Sequence, residues 1–282
     1  SLQSKDIISL LKIKSVKIMN PLSDTMSELR TSLFPGLLEN IDFNYKNNNP
    51  DIMIFEWGNI YKQNKPGLKG IQEKLVISGV VHGYLNKPTV HRKKGRRFNF
   101  NVLKGSVKNL MDRLSIKNLT FNQTKNKADG LINCFKIESN NHQLGFIGKV
   151  DTIFSDKMHL DINEVFGFQL DLDLLMELAN KTPLFNSIVS YPLVERDLNF
   201  VLEENILIGS LLSTVKENGN DILKSVDPIN IFRHNSLGNN KKSVTINLAF
   251  QSSTKTLEDK DVNHVIDEII RVISNEYGAK LR

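Results

Sequence analysis

The sequence predicts an α+β protein in two parts, and two observations lead to that class. Residues 183 to 282 show the order strand, helix, strand, strand, helix, short strand, which is the ferredoxin-like β-α-β-β-α-β arrangement. Earlier, "DIMIFEWGNIYK", which is flanked by turn residues, and "KLVISGVVHGYL" are predicted strands, and we expect them to form an antiparallel sheet. A chain of 282 residues is long enough for two domains. We expect them at residues 1–182 and 188–282, joined by a linker that begins near Pro183.

The first part is expected to combine this sheet with helices. Residues 1 to 19 predict a short helix followed by a strand, and apolar residues from Leu29 to Tyr45 at helical spacing predict a helix that Pro35 bends or restarts. After the basic loop "HRKKGRR", a further helix is predicted. Its apolar side carries Val107, Leu110, Met111 and Leu114. Short strands are expected at "INCFKIE" and "QLGFIGKV", followed by the segment "FGFQLDLDLLMELAN".

The second part is predicted element by element. Its strands are expected at 196–202, 222–233 and 242–251, with a short final strand, and its helices at 207–217 and 257–276. The last helix is the best determined, since Val262, Val265, Ile266, Ile269 and Ile273 form its apolar stripe. Thr256 is predicted to cap its start together with Asp259, and Gly278 to end it.

Composition excludes several classes of protein. The apolar fraction of 40% and charged fraction of 24% are typical of globular proteins, and no apolar run approaches the roughly 18 residues that span a bilayer. The start "SLQSKDIISLLKIK" lacks the features of a secretory signal and does not begin with Met, so we expect a fragment or a processed chain in the cytoplasm. The one cysteine, Cys134, cannot form an intrachain disulfide and is expected to be buried.

The positive charge is unevenly distributed. Residues 183–282 hold 11 Lys and Arg against 13 Asp and Glu, so residues 1–182 hold 37 − 11 = 26 against 31 − 13 = 18. The first two thirds therefore carry the excess, and such a balance suggests a polyanionic partner. The run "HRKKGRR" places Arg92, Lys93, Lys94, Arg96 and Arg97 together. It is either a solvated loop or a loop that neutralises nucleic-acid phosphates.

Catalytic signatures are nearly absent from the sequence. It has no phosphate loop, nucleophile elbow, zinc-protease pair or dinucleotide-binding glycine motif, and its six histidines are scattered, so no metal site is expected. Asp171 and Asp173 are better explained as a helix start or solvated edge than as an acid/base pair. Gly145 and Gly148 are better explained by close backbone packing than by phosphate binding.

An aromatic side chain in "PINIFRHNSLGNNKKSVTINLAF" is predicted on a polar face. Alternation in this hairpin places Ile229 and Ile231 with Val244, whereas Asn230 and Phe232 share the reverse face with Ser243. Phe232 is either an ordinary exposed aromatic or a surface for stacking unpaired bases, as on many sheets that bind single-stranded RNA.

Six blocks, taken in order, resemble one family. These blocks are "NPLSDTMSELRTSLFPGLLENIDFN", "IFEWGNIY", "FNVLKG", "YPLVERDLNFVL", "KKSVTINLAFQSSTKTL" and "GAKLR". Together they are similar to the carboxy-terminal third of the bacterial phenylalanyl-tRNA synthetase beta chain. The family's H-P-G block is absent near residues 127 to 133. The resemblance implies a class II synthetase-like antiparallel sheet with helices, followed by a ferredoxin-like anticodon-binding domain.

The resemblance also implies partners and cofactors. The complete enzyme would use ATP and Mg²⁺, with catalysis in an alpha subunit that joins the beta chain in an (αβ)2 heterotetramer, and it would bind tRNA(Phe). No cofactor, metal or catalytic residue is expected within this fragment, because "YKQN" and "FGFQLDL" lack the arginines with which class II sites hold ATP. Editing and metal-binding segments would lie upstream.

The family's anticodon-contacting pattern falls on Asn230, Phe232 and Ser243. Asn and Phe replace the usual Asp and Tyr at the first two positions, so base stacking survives, while any contact through the lost carboxylate or hydroxyl does not. Weaker contacts to the RNA backbone are expected from the basic loop and from Arg196, Lys241 and Lys242, although a salt bridge suits Arg196 equally well. Two alternatives remain open: an autonomous class II ligase, and a stand-alone RNA-binding or scaffolding paralogue.

Overall fold

The fold is described from a computed structural model that covers residues 2–3, 9–11, 13–23, 26–124, 130–157, 164–179 and 189–282. The chain divides into two compact units, Ser1–Leu184 and Phe185–Arg282. The start of the linker expected near Pro183 lies outside the described residues.

A six-stranded antiparallel sheet forms the centre of the first unit. The strand order is β3-β4-β10-β9-β8-β7. These strands are β3 (Ile52–Gln63), β4 (Ile71–His82), β7 (Leu119–Gln123), β8 (Leu131–Ser139), β9 (His142–Val150) and β10 (Phe166–Asp171). The predicted antiparallel pairing of the first two strands, β3 and β4, is confirmed, with register from Ile52 opposite His82 to Gln63 opposite Ile71.

Helix α1 (Phe34–Lys46) covers one face of this sheet. Its apolar side, Phe34, Leu37, Leu38 and Ile41, packs with Val76 and Val80 of β4. Pro35 lies in the first turn, where its missing N–H needs no partner, so it starts this helix. The predicted inclusion of Leu29 in the helix is wrong, because Leu29 belongs to the short strand β2 (Glu28–Leu29).

Two other helices, α2 (Phe100–Arg113) and α4 (Leu172–Leu178), pack against the opposite face. The predicted apolar side of α2 is confirmed, with Val107 and Met111 buried and Leu110 and Leu114 packed beside them. Asn99 caps α2 by accepting a hydrogen bond from the Val102 N–H at 3.0 Å. The middle of the sheet is therefore covered on both sides.

Shorter elements complete the first unit. β1 (Leu2–Gln3) pairs with β2, and Lys17 forms an isolated bridge with Glu28. Of the short helix predicted within residues 1 to 19, Ser9 and Leu10 are helical. Part of that predicted helix lies outside the described residues. β5 (Tyr84–Asn86) pairs with β6 (Arg96–Arg97), and α3 (Thr152–Lys157) follows β9.

The second unit confirms the predicted β-α-β-β-α-β order. Its elements are β11 (Val194–Glu203), α5 (Ile208–Glu217), β12 (Leu223–Phe232), β13 (Lys241–Phe250), α6 (Asp259–Tyr277) and β14 (Lys280–Leu281). The strands pair antiparallel in the order β12-β13-β11-β14. This is a ferredoxin-like sheet, so the α+β class is confirmed.

Both helices of the second unit cover the same face of its sheet. Val244, Ile246 and Leu248 of β13 are buried against apolar residues of α5 and α6. The expected cap at Thr256 is wrong: Glu258 is the capping residue and forms a reciprocal capping box with Asp261. Gly278 ends α6 in the left-handed conformation, at φ 60°, as predicted. Among the described residues, no helix is both long and apolar enough to span a membrane.

Candidate nucleic-acid interface

A bulge in β12 places Phe232 on the uncovered face of the second sheet. Asp227 pairs with Asn247 and Pro228 with Ile246, but Asn230 pairs with Thr245, so Ile229 is an extra residue. One inserted residue reverses the alternation of faces beyond it. Without this bulge Phe232 would share the face of Val226, which is buried under the helices. The bulge therefore explains why the ring of Phe232 lies on the uncovered face. Pro228 lacks an N–H and so suits an irregular edge strand.

The uncovered face, called the open face below, is polar and internally hydrogen-bonded. Its members are Asp197, Asn199 and Val201 of β11, Lys241, Ser243, Thr245 and Asn247 of β13, and Asp227, Asn230 and Phe232 of β12. Asn247 donates to Asp197 at 2.9 Å, and Ser243 donates to Asn199 at 2.6 Å. These hydrogen bonds hold the side chains in the middle of the open face in place without a ligand.

The three predicted anticodon-contacting residues lie together on this face but differ in exposure. Phe232 is 45% exposed, and Ser243 lies directly across from it. Asn230 is exposed, and its side-chain amide forms no hydrogen bond with the described residues. Ser243 is buried, with its hydroxyl donated to Asn199. In this arrangement the ring of Phe232 and the amide of Asn230 are accessible to a ligand. The buried Ser243 instead holds Asn199 in place below them.

His234 is a further member of this surface that the sequence analysis missed. Its ring stacks on that of Phe232, with centroids 5.8 Å apart and planes inclined by 16°. Nδ1 of His234 accepts a hydrogen bond from the Ser236 N–H at 3.2 Å. The available signal was the spacing of two residues from Phe232, which puts both rings on one side of an extended chain.

Arg233 anchors the segment between the two rings from the reverse side. Its guanidinium donates to both carboxylate oxygens of Glu204, at 2.7 to 3.1 Å. These hydrogen bonds lower the pKa of Glu204 and raise the pKa of Arg233. The ion pair therefore holds the strand end that presents Phe232 and His234.

The other basic residues predicted to contact RNA in the second unit differ in how far their charged groups are already paired within the protein. Lys241 lies on the open face, with its ammonium 3.9 Å from Glu203, a long ion pair. Lys242 is buried and donates to the carbonyls of Glu204 and Ile206 at 2.7 and 2.6 Å, so its ammonium does not face solvent. Arg196 shares the helix-covered face with Leu248 and pairs with Asp259 at 2.8 Å. The structure thus gives Lys242 and Arg196 internal partners.

In the first unit, the predicted basic loop lies in the hairpin that joins β5 and β6. Arg92, Lys93, Lys94, Arg96 and Arg97 are all exposed. The guanidinium of Arg97 lies 4.7 Å from the ring centroid of Tyr84, and a hydrogen bond with Tyr84 raises the pKa of Arg97. At the hairpin base, Asp51 accepts from the Tyr84 N–H at 2.6 Å and pairs with Lys87 at 2.8 Å.

The segment around Gly167, which the sequence analysis compared with a class II glycine motif, is tightly packed. A β-carbon added at Gly167 would lie 2.8 Å from the Phe34 ring, which is fully buried. Gln169 stands where the second glycine of the motif is missing, and it is buried with its amide oxygen 3.2 Å from Ser78 Oγ. Neither "YKQN" nor "FGFQLDL" contains an arginine, so these segments lack the paired guanidinium donors that suit an ATP phosphate.

Other candidate residues of the first unit have structural roles. Asp171 caps α4 by accepting from the Leu174 N–H at 3.0 Å and pairs with Lys74, as the helix-start interpretation predicted. At Gly148 an added β-carbon would lie 2.8 Å from the Ile132 carbonyl, so close strand packing requires glycine. Cys134 is buried. The described residues contain no cluster of His, Cys, Asp or Glu that could hold a metal ion.

Comparison with known proteins covers both units. Residues 1–172 match the family described as the phenylalanyl tRNA synthetase beta chain CLM domain, and residues 189–282 match the ferredoxin-fold anticodon binding domain. The chain is 29% identical to the phenylalanine–tRNA ligase beta subunit of Carboxydothermus hydrogenoformans, covering 95% of this chain and 33% of that protein. The same subunit of Bacillus subtilis is 29% identical, over 93% of this chain and 32% of the relative.

The Thermotoga maritima beta subunit is similar at 28% identity, over 95% of this chain and 33% of the relative. The chain thus spans about a third of the length of the curated relatives it matches. Pyrrolysyl-tRNA synthetase from Desulfitobacterium hafniense overlaps with a TM-score of 0.45 and 14% identity, over 62% of this chain and 59% of that one, too low to support a conclusion. From the two family matches, the chain belongs to the phenylalanyl-tRNA synthetase beta chain family.

Proposed function

We propose that this chain is the carboxy-terminal part of the beta subunit of a cytoplasmic phenylalanine–tRNA ligase. In this proposal residues 188–282 bind the anticodon of tRNA(Phe), and residues 1–182 form a catalytically silent class II core that joins an alpha subunit in an (αβ)2 enzyme. The family membership and the names of the relatives support the assignment of the whole.

The observation that carries the RNA-binding role is the exposed ring of Phe232 on the open face. An aromatic on the polar side of a sheet can stack an unpaired base, which is worth roughly 1–3 kcal/mol per base. Asn230 lies two residues away, with an amide that can donate to and accept from a base edge. A stacking ring beside a free amide is the arrangement that reads single-stranded RNA.

The proposed silent core is supported by the packing of the first unit and by its missing arginines. Phe34 packs beside Gly167, and the buried Gln169 stands where the motif would have its second glycine. Neither "YKQN" nor "FGFQLDL" contains an arginine. ATP and Mg²⁺ would be required by the complete ligase, and the two segments compared with class II motifs lack the arginines that hold ATP. We therefore assign activation of phenylalanine to the alpha subunit.

The assembly role is supported by an apolar strip on the edge strand β3. Met53, Phe55 and Trp57 alternate along one face of this strand, and the last two are 68% and 64% exposed. Aromatic residues and methionine are enriched in subunit interfaces, and an edge strand also offers unpaired backbone groups. We assign this strip to the alpha subunit, because the relatives are named as beta subunits.

Two measurements test the proposal. Phe232→Ala in the enzyme reconstituted with its alpha subunit should weaken tRNA(Phe) binding, roughly 5- to 150-fold by the stacking range, while phenylalanine-dependent exchange of pyrophosphate into ATP is unchanged. The 282-residue chain alone should give no exchange. Equal tRNA affinity in variant and parent would remove the stacking role, and exchange by the isolated chain would overturn the silent core.

The strip has a test of its own. Trp57→Ser should reduce the amount of alpha subunit recovered with this chain on co-expression, and Leu68→Ser, at another exposed apolar position of the same unit, is the matched control. Full recovery of the alpha subunit with the Trp57 variant would remove the strip from the interface.

A further inference from the structure

The exposed ring of His234 has no role in the packing of the second unit. It lies beyond the end of β12, where the chain is still extended at φ −156° and ψ 149°, so its side chain follows that of Phe232 on the same side. The two rings are nearly parallel, with an offset stack of 5.8 Å between centroids. They therefore present adjoining aromatic surfaces.

The orientation of the His234 ring is fixed by two hydrogen bonds. The Ser236 N–H can only donate, so Nδ1 of His234 is the acceptor in this hydrogen bond. The Ser236 hydroxyl lies 2.9 Å from the same nitrogen. On the other side of the chain, Arg233 is held by Glu204. A ring fixed in this way loses little conformational freedom when a ligand stacks on it.

The surroundings of His234 suit a nucleotide. Phe232 lies across from Ser243, the last pair of the β12–β13 register, and Lys241, two residues before Ser243 on the same face of β13, places a cation at this end of the open face. Successive unpaired bases stack on successive aromatic rings in proteins that bind single-stranded nucleic acid, with basic groups following the backbone.

We propose that His234 is a second base-stacking residue, so that Phe232 and His234 hold two neighbouring unpaired nucleotides of the bound RNA. This inference rests on the proposed function, because it extends the same RNA-binding face. It adds His234 to the RNA-binding face, a residue that the family pattern of Asn230, Phe232 and Ser243 does not include.

The test separates the ring of His234 from its capping role. His234→Asn removes the ring but retains a side-chain oxygen that can accept the Ser236 N–H, whereas His234→Phe retains a ring and loses that acceptor. With a synthetic anticodon stem-loop of tRNA(Phe) as the probe and the 282-residue chain as the protein, the Asn variant should bind about fivefold or more weakly. The Phe variant should bind within about twofold of the parent, because stacking on an aromatic ring is sequence-tolerant.

The controls distinguish failure of this inference from failure of the proposed function. His264→Ala changes an exposed histidine on α6, in the helical layer away from the open face, and should leave affinity unchanged. If Phe232→Ala weakens binding and His234→Asn does not, the inference is wrong and the RNA-binding face stands. A weak Phe variant beside a normal Asn variant would show a capping role alone and would also overturn it. If neither Phe232→Ala nor His234→Asn changes affinity, both proposals fail.

Discussion

The two sheets of this chain differ in how many of their faces are covered. In the first unit, Val76 and Val80 of β4 pack under α1, and Val81 packs under α2 on the other side. In the second unit, Val244 and Ile246 of β13 pack under helices, but Thr245 and Asn247 on the reverse face remain partly exposed. Strands buried on both sides have no surface for a ligand, so the middle of this closed sheet is suited to support and the open sheet to recognition.

The difference in coverage between the two sheets follows from the side chains of an inner strand of each, β4 and β13. β4 contains "LVISGVV", which is apolar or small on both faces, whereas β13 contains "SVTINLAF", which alternates. Continuous apolar strands are typical of sheets covered on both sides, and alternating strands of sheets with one solvated face. The position of the uncovered face, and so of the proposed binding surface, therefore follows from strand periodicity.

The largest expected effect comes from the two phenylalanines of the second sheet. Phe250 is fully buried, so Phe250→Ala should destabilise this unit by about 3–5 kcal/mol, whereas Phe232→Ala should stay within about 0.5 kcal/mol of the parent. Hydrogen exchange of the β13 amides in the whole chain measures both. Equal destabilisation would mean that Phe232 belongs to the core, and the contrast between the faces would be lost.

A second pair of variants tests how tightly the closed sheet is packed. Gly148→Ala would place a β-carbon 2.8 Å from the Ile132 carbonyl and 3.0 Å from Cys134, and we expect a loss of about 1–3 kcal/mol in the free energy of unfolding of the first unit. Gly105→Ala in α2 meets nothing within 4 Å and should stabilise by roughly 0.5–1 kcal/mol. Exchange of the β9 amides reports the first effect and that of the α2 amides the second. A tolerated Gly148→Ala would show that these strands separate readily.

The basic hairpin and Lys242 form a third comparison, between exposed and buried cations. Changing Arg92, Lys93, Lys94, Arg96 and Arg97 to Gln should flatten the salt dependence of tRNA binding, by roughly 0.7–0.9 in slope for each phosphate contact removed. Lys242→Met should lower stability, because two carbonyls lose their donor, and leave the salt slope unchanged. Affinities measured at several salt concentrations decide the point. An unchanged slope in the hairpin variant would make it an ordinary solvated loop.

The smallest effect concerns pH at the base of that hairpin. Burial raises the pKa of Asp51, but the hydrogen bond from Lys87, the Tyr84 N–H and the charges of Lys87 and His82 together outweigh burial and lower it. A lowered carboxyl pKa stabilises the fold above the unfolded value of roughly 4, and that contribution disappears as pH falls through the folded pKa. The Tyr84 amide should therefore lose exchange protection in acid, relative to other β5 and β6 amides. In Asp51→Asn this extra loss should be absent, and its persistence would assign the effect to another group.

Much of this fold could be predicted because its strands alternate and its helices carry apolar stripes. The β13 face and the α6 stripe are local patterns that need no knowledge of the rest of the chain. The bulge at Ile229 could not be read in this way, since it depends on how an edge strand with Pro228 pairs with β13. The cap at Glu258 was missed by two residues because Thr is a preferred capping residue by type and Glu is not.

The site was predicted less completely than the fold. Phe232 and Asn230 are exposed on the open face, where alternation placed them. Burial of Ser243 and Lys242 depends on Asn199 and on the carbonyls near Glu204, which are distant in sequence and were not part of any local pattern. The stacking of His234 likewise depends on a ring orientation that spacing does not specify.

The claim that RNA binds the open face of the second sheet is tested most directly by hydroxyl-radical footprinting. The 282-residue chain would be oxidised with and without saturating tRNA(Phe), and the modification of exposed aromatic side chains compared. We expect oxidation of Phe232 and His234 to fall on binding, while that of Phe55 and Trp57 on β3 is unchanged. Unchanged oxidation of Phe232 at saturating tRNA would contradict the account.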